Sequence, residues 1–161
     1  PLLFPADRAI QRGTPGGGQE VCEGTQYMWV LNWDLTGKLV TSSCDEVIKK
    51  TNRLNQEYQD KQPVIIEIES YSKKSLTVGV GTKEGLSCLT YFPFPDRLGS
   101  MHPVPLDSKY RNCEKSIIFW LNSYDSEFEM KDLITYEEAI TEVIYFLQND
   151  DVSSNLSWEP D

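Results

Sequence analysis

Two short motifs, Ser43-Cys44-Asp45-Glu46 and Thr135-Tyr136-Glu137-Glu138, limit what this chain can fold into. Each is a capping box. A hydroxyl accepts from an orphan N–H at a helix start, and a Glu three residues on reaches back to the cap's own N–H. Behind each box the apolar residues keep helical spacing. After the first, Val47, Thr51, Leu54 and Tyr58 share a face with Ile48 beside them, and the helix should end near Asp60, before Pro63. After the second, Ile134 and Ala139 are placed as a hydrophobic staple. Ile140, Val143, Ile144 and Leu147 form the expected buried stripe, running to about Asn149.

Between the boxes the spacing changes to that of strands. Val64-Ile65-Ile66-Glu67-Ile68-Glu69 is β-branched and begins to alternate. A polar turn, Ser72 to Ser75, leads to a return strand, Leu76-Thr77-Val78-Gly79-Val80. Lys83-Glu84-Gly85 turns again into Leu86-Ser87-Cys88-Leu89-Thr90-Tyr91, which completes an antiparallel meander. Met28 to Trp33 reads as a strand before a turn at Asp34 to Lys38, Ser116 to Trp120 as another, and Glu127 to Met130 as a short one. Residues 92–113 hold Pro93, Pro95, Pro103 and Pro105 and read as a long irregular connection. Trp158 is expected to close the core as a C-terminal strand or plug. The expected fold is α+β: an antiparallel β-sheet of five or six strands with two α-helices packed on it.

The domain is expected to span residues 28–161. Residues 1–27 differ in character, because Gly13-Thr14-Pro15-Gly16-Gly17-Gly18 has the composition of a flexible linker. The N-terminus lacks Met and a secretory signal, and Met28 opens an apolar segment as a start codon would. The expectation for 1–27 is therefore a flexible or vector-derived extension.

Charge narrows the function. The net charge of -10 is carried entirely by Glu114 to Asp161, which hold twelve acids and two bases; residues 1–113 are neutral. Such a balance disfavours direct binding to nucleic acid or an anionic membrane, and no apolar run approaches the ~20 residues of a membrane span. A folded acidic surface suits a basic protein partner. Cys22, Cys44, Cys88 and Cys113 are far apart and the only histidine is His102, so no metal or cofactor is expected, and the thiols are read as reduced in a cytoplasmic protein. Two disulfides remain arithmetically open.

Catalytic signatures are sparse. There is no GxSxG, HExxH or phosphate-cradling loop, and His102 reads as a loop histidine. Glu67/Glu69 and Glu127/Glu129 each place two carboxylates on one side of a strand, as a glycosidase pair would, although with Ile66 and Ile68 on the opposite face a solvated strand face is the better account of Glu67/Glu69. Glu137, Glu138 and Glu142 sit where the helix dipole favours them, with Glu142 expected on the solvated face. The candidate partner-binding residues are Tyr91, Phe92, Phe94 and Asp96 at the proline-rich connection, Tyr124, Asp125 and Glu127 of an acidic turn, and Glu129 of the short strand that follows it. Rigid aromatics flanked by acids make anchors for a basic partner.

The order of elements resembles a known family. The meander with Leu76-Thr77-Val78-Gly79-Val80-Gly81 precedes a strand ending Phe119-Trp120. Ser126-Glu127-Phe128 follows, then a helix from Glu137-Glu138-Ala139-Ile140 through Tyr145-Phe146-Leu147, then Leu156-Ser157-Trp158. From about Met28 to Trp158 this looks like the immunity-protein-1 family of bacterial polymorphic toxin systems. The resemblance implies a cytoplasmic antidote without catalysis of its own, which blocks a cognate toxin domain, often a nucleic-acid deaminase or nuclease, by stoichiometric contact. Two other readings stand beside it: a hydrolase using paired carboxylates, and an acidic adaptor for a basic protein.

Overall fold

The computed structural model describes residues 28–161, so the expectation for residues 1–27 lies outside the described residues. The β-branched run becomes β3 (Val64–Glu69), the centre of a large sheet. A hairpin of β1 (Trp29–Trp33) and β2 (Gly37–Thr41) flanks one edge of β3, and β4 (Ser75–Val80) flanks the other. The chain then forms β5 (Leu86–Ser87), β6 (Leu89–Phe92), β7 (Met101–Val104), β8 (Ser116–Leu121), β9 (Tyr124–Glu129) and β10 (Ile134–Thr135). The last strand is β11 (Ser157–Pro160). The helices are α1 (Cys44–Glu57) and α2 (Tyr136–Asn149).

Strand order is β11-β7-β6-β4-β3-β1-β2, antiparallel throughout. The sheet forks at β3. β1 takes residues Ile66 to Glu69, and β8 lies parallel beside Val64 through Trp120, whose N–H donates to Pro63 at 3.0 Å. β8 carries β9 as a hairpin, which brings the sheet to nine strands; β5 and β10 form a separate pair. The fold is α+β, as expected, with more strands than the expected five or six. The surplus includes β2, which pairs with β1 and was not named from the sequence, and β7, whose Pro103 argues locally against a strand.

Alternation assigns the two faces. Ile66, Ile68, Leu76, Val78, Leu89 and Tyr91 point to the helices and meet Val47 and Leu54 of α1 and Ala139, Val143, Phe146 and Leu147 of α2. On the opposite face the β8–β9 hairpin covers Ile65 and Cys88 with Ile117 and Phe119, and with Met130 and Leu133 builds a second, smaller core. Between them the two cores explain why β4 is buried along its whole length.

The caps behave differently. Thr135 and Glu138 form the full box. Ser43 accepts from the Glu46 N–H at 3.2 Å, but the Glu46 carboxylate takes the Thr41 hydroxyl instead of reaching back. The stripe of α2 is also turned from the expected one. Ala139, Glu142, Val143, Phe146 and Leu147 are buried, while Ile140 and Ile144 are half-buried. Apolar residues cover most sides of this helix, so several registers fitted the pattern. A charged residue at the centre of the stripe was the feature that periodicity argued against.

Candidate partner-binding surface

The acidic segment from Tyr124 is a strand and not a turn. The turn is Asn122-Ser123, with Asn122 at φ 58°, a left-handed value Asn tolerates, and it closes a tight hairpin. Tyr124-Asp125-Ser126-Glu127-Phe128-Glu129 then alternates strictly. Asp is a poor strand former, so the sequence showed this period of two only from Glu127 onward. Phe128 turns inward and meets Phe119 edge to face, ring centres 5.8 Å apart. Asp125, Glu127 and Glu129 turn outward together, across from Trp120, Ile118 and Ser116 respectively.

This outer face is acidic with an apolar seam. Ile118 is 40% exposed in the middle of it, and Tyr124 is 75% exposed at its end. Glu129 accepts from Lys131 at 3.2 Å; this hydrogen bond, and then the carboxylate's charge, holds Lys131 protonated beyond the usual lysine range. Asp125 and Glu127 have no cationic partner among the described residues. Ile118 carried no signal in the sequence, because the face it joins depends on the register in which β8 pairs with β9.

The aromatic segment is divided. Tyr91, expected as an exposed anchor, is 2% exposed and belongs to the main core. Its ring sits 6.1 Å from Phe146 and 6.4 Å from Trp158, and its hydroxyl donates to Asp151 at 3.3 Å. Burial, and next the Asp151 charge, push its phenol above the ordinary range. It points to the helix face because β6 pairs it with Leu76. Phe92, its neighbour, points to the other face and is half-buried beneath the Arg97 guanidinium, 4.5 Å from the ring centre. Phe94 is exposed, and Asp96 turns its carboxylate to the Leu98 N–H at 3.0 Å. The two candidate patches are not brought together. Phe92 pairs with Ser75 at the start of β4, while Trp120, across from Asp125, adjoins Val64, which pairs with Val80 at the end of β4. That strand separates them by about 17 Å.

The remaining candidates have local roles. Glu67 is held by Arg97, and both Glu67 and Glu69 are half-buried on the face away from the helices. His102 is not in an irregular loop: it lies in β7, opposite Glu159, with Nδ1 2.5 Å from the Asp161 carboxylate, which also accepts from Ser100. Cys44, Cys88 and Cys113 are free thiols; burial pushes Cys88 up to about 12 and Cys44 to about 11. No group of three or more His, Cys, Asp or Glu among the described residues is arranged to hold a metal, and no described helix is long and apolar enough to cross a membrane. A groove of about 490 Å³ lies where the Leu106 loop meets the start of α2, with Glu84, Asp107, Tyr110, Glu137 and Asn155 in its wall.

No protein-family model matches the chain, and no curated protein matches it.

Proposed function

We propose that this chain is an immunity protein. It binds a cognate bacterial toxin domain, a nucleic-acid deaminase or nuclease, and inhibits it by stoichiometric contact in the cytoplasm of the producing cell. One observation supports the reading: two carboxylates without a cationic partner among the described residues, Asp125 and Glu127, stand beside exposed Ile118 on the outer face of the hairpin. A domain that grips nucleic acid is basic, and an acidic face with an apolar centre meets such a surface with both attraction and buried area. The likeness to the immunity-protein-1 family in the order of elements points the same way. A general acidic adaptor would use the same face, and the two differ in the consequence of binding, which for an antidote is survival.

The test is co-expression with the product of the adjacent gene. The chain should co-purify with it and protect the cells. Asp125→Lys with Glu127→Lys should abolish protection while leaving the melting temperature within the few degrees expected of surface changes. Full protection by that double variant would remove this face as the binding site.

A further inference from the structure

We infer that the outer edge of β9 receives an added β-strand, one with Lys or Arg at every second position. The proposal rests on the reading of the chain as a binder of a basic protein and specifies how that protein attaches. Its first support is backbone geometry. In an antiparallel pair, residues alternate between those that exchange hydrogen bonds with the partner strand and those whose N–H and C=O point the other way. The tight turn puts Leu121 and Tyr124 in the first class, and Met130 donating to the Lys115 carbonyl at 2.9 Å places that pair in the same class, six residues along. By parity, Asp125, Glu127 and Glu129 belong to the second class. Their backbone groups face away from β8, and among the described residues no other strand pairs with β9.

The three residues whose backbones face away from β8 are thus the three whose carboxylates share the outer face. A strand laid along this edge would hydrogen-bond to them, and its residues directly opposite would turn to the same face, with Cα atoms about 5.5 Å away. Cations at those positions, repeating every second residue, meet the acids one to one. Lys131 occupies only Glu129. The same charges exclude a second copy of this chain. Two β9 strands paired antiparallel about Glu127 would set Glu127 against Glu127 and Asp125 against Glu129, and like charges directly opposite are destabilising. The edge is closed to itself and open to a basic strand.

The probe is a synthetic peptide with lysine at alternate positions and valine or threonine between, compared with a scrambled peptide of identical composition. Calorimetric titration should show the alternating peptide binding at least tenfold more tightly. Hydrogen exchange should slow at the Asp125, Glu127 and Glu129 amides and little elsewhere. Glu127→Pro removes the central outward N–H without touching a bond to β8, a site where an edge strand accepts proline, and should abolish the preference at an unchanged melting temperature. Should that variant lose stability, Glu127→Thr, which keeps the backbone and removes the charge, should still bind the alternating peptide better than the scramble, though more weakly. Equal binding of the two peptides to the wild type, or protection away from β9, overturns the proposal. A toxin that co-purifies equally well with Glu127→Pro would overturn it too, and would leave the immunity reading standing.

Discussion

Glu142 shows how a single side chain can reverse an expectation. The dipole of α2 accounts for an acid near its start, and the helix pattern put this one in solvent. It is 2% exposed. Its carboxylate accepts from the Ser153 N–H at 2.5 Å and from the Ser153 hydroxyl at 2.7 Å, while the Ser153 carbonyl accepts from the Trp158 indole at 3.0 Å. The acid therefore fastens the chain beyond the helix and, through it, β11. Glu142→Ala should cost about 3 kcal/mol, because each hydrogen bond to a charged group contributes about 1.5–3 kcal/mol and a buried N–H is left bare. Glu142→Lys should unfold the domain, and Ile144→Asp, at a half-buried position, should be the milder change. Urea unfolding of the three variants decides; a wild-type midpoint for Glu142→Ala would mean that the clamp contributes nothing. Gly79 is the second such residue. A Cβ there would stand 2.5 Å from a Phe119 ring carbon and 2.6 Å from the Cys88 sulfur. Gly79→Ala should then cost about 1–3 kcal/mol by overpacking, even though alanine is ordinarily the better residue in a strand.

Elements were legible where local chemistry and burial agree. Thr135 and Glu138 cap α2 as their spacing demands, and Val64–Glu69, rich in β-branched residues, lies at the sheet's centre. What stayed hidden depends on partners far away in sequence. β7 is a strand only because β11 lies beside it and Tyr91 pairs with Met101, so a proline-bearing segment of the long connection gave no local sign of it. The second half of the acidic hairpin strand, Glu127 to Glu129, was legible as a short strand, but Tyr124 to Ser126 read as a turn, and the common face of Ile118 and the three acids was not seen. Tyr91 and Phe92 looked alike in sequence; strand alternation sends one into the core and the other beneath Arg97. Two substitutions separate these roles. Tyr91→Ala should cost about 3–5 kcal/mol, the range for a large aromatic lost from a core. Phe94→Ala, at an exposed site, should fall within about 0.5 kcal/mol of wild type. Thermal melts of the pair check it, and a stable Tyr91→Ala would put the packing of β6 against α2 in error.

At the scale of the whole molecule, two charge-dependent behaviours follow. Burial, followed by an acidic neighbour, raises the phenols of Tyr58, to about 12, and of Tyr91 and Tyr136 beyond it. A group whose folded pKa lies above its unfolded value near 10 favours the fold while protonated. Its contribution is complete below about pH 10 and declines as pH rises toward the folded values. Stability should therefore fall above about pH 10, with tyrosinate absorbance appearing together with unfolding and not before it. Tyr91→Phe, which cannot ionise, should shift that fall upward.

The other behaviour concerns encounter. Residues 114–161 hold the full -10, and they supply both the β8–β9 hairpin and the C-terminal strand. A net charge of one sign pulls an opposite charge across distances greater than any single contact. Such steering raises association by about 10- to 1,000-fold at low ionic strength. With a Debye length of about 30 Å at 0.01 M salt and about 8 Å at 0.15 M, most of that gain should vanish between the two conditions. On the proposed reading, the association rate with a basic toxin domain should fall at least tenfold over this range, while the dissociation rate, if set by Ile118, Tyr124 and an added strand, changes less. Asp125→Lys with Glu127→Lys should flatten the salt dependence as well as weaken binding. Stopped-flow measurement at the two salt concentrations distinguishes this from purely apolar docking, for which both rates would be nearly indifferent to salt and the acids of β9 would serve only to keep its edge from pairing with another copy.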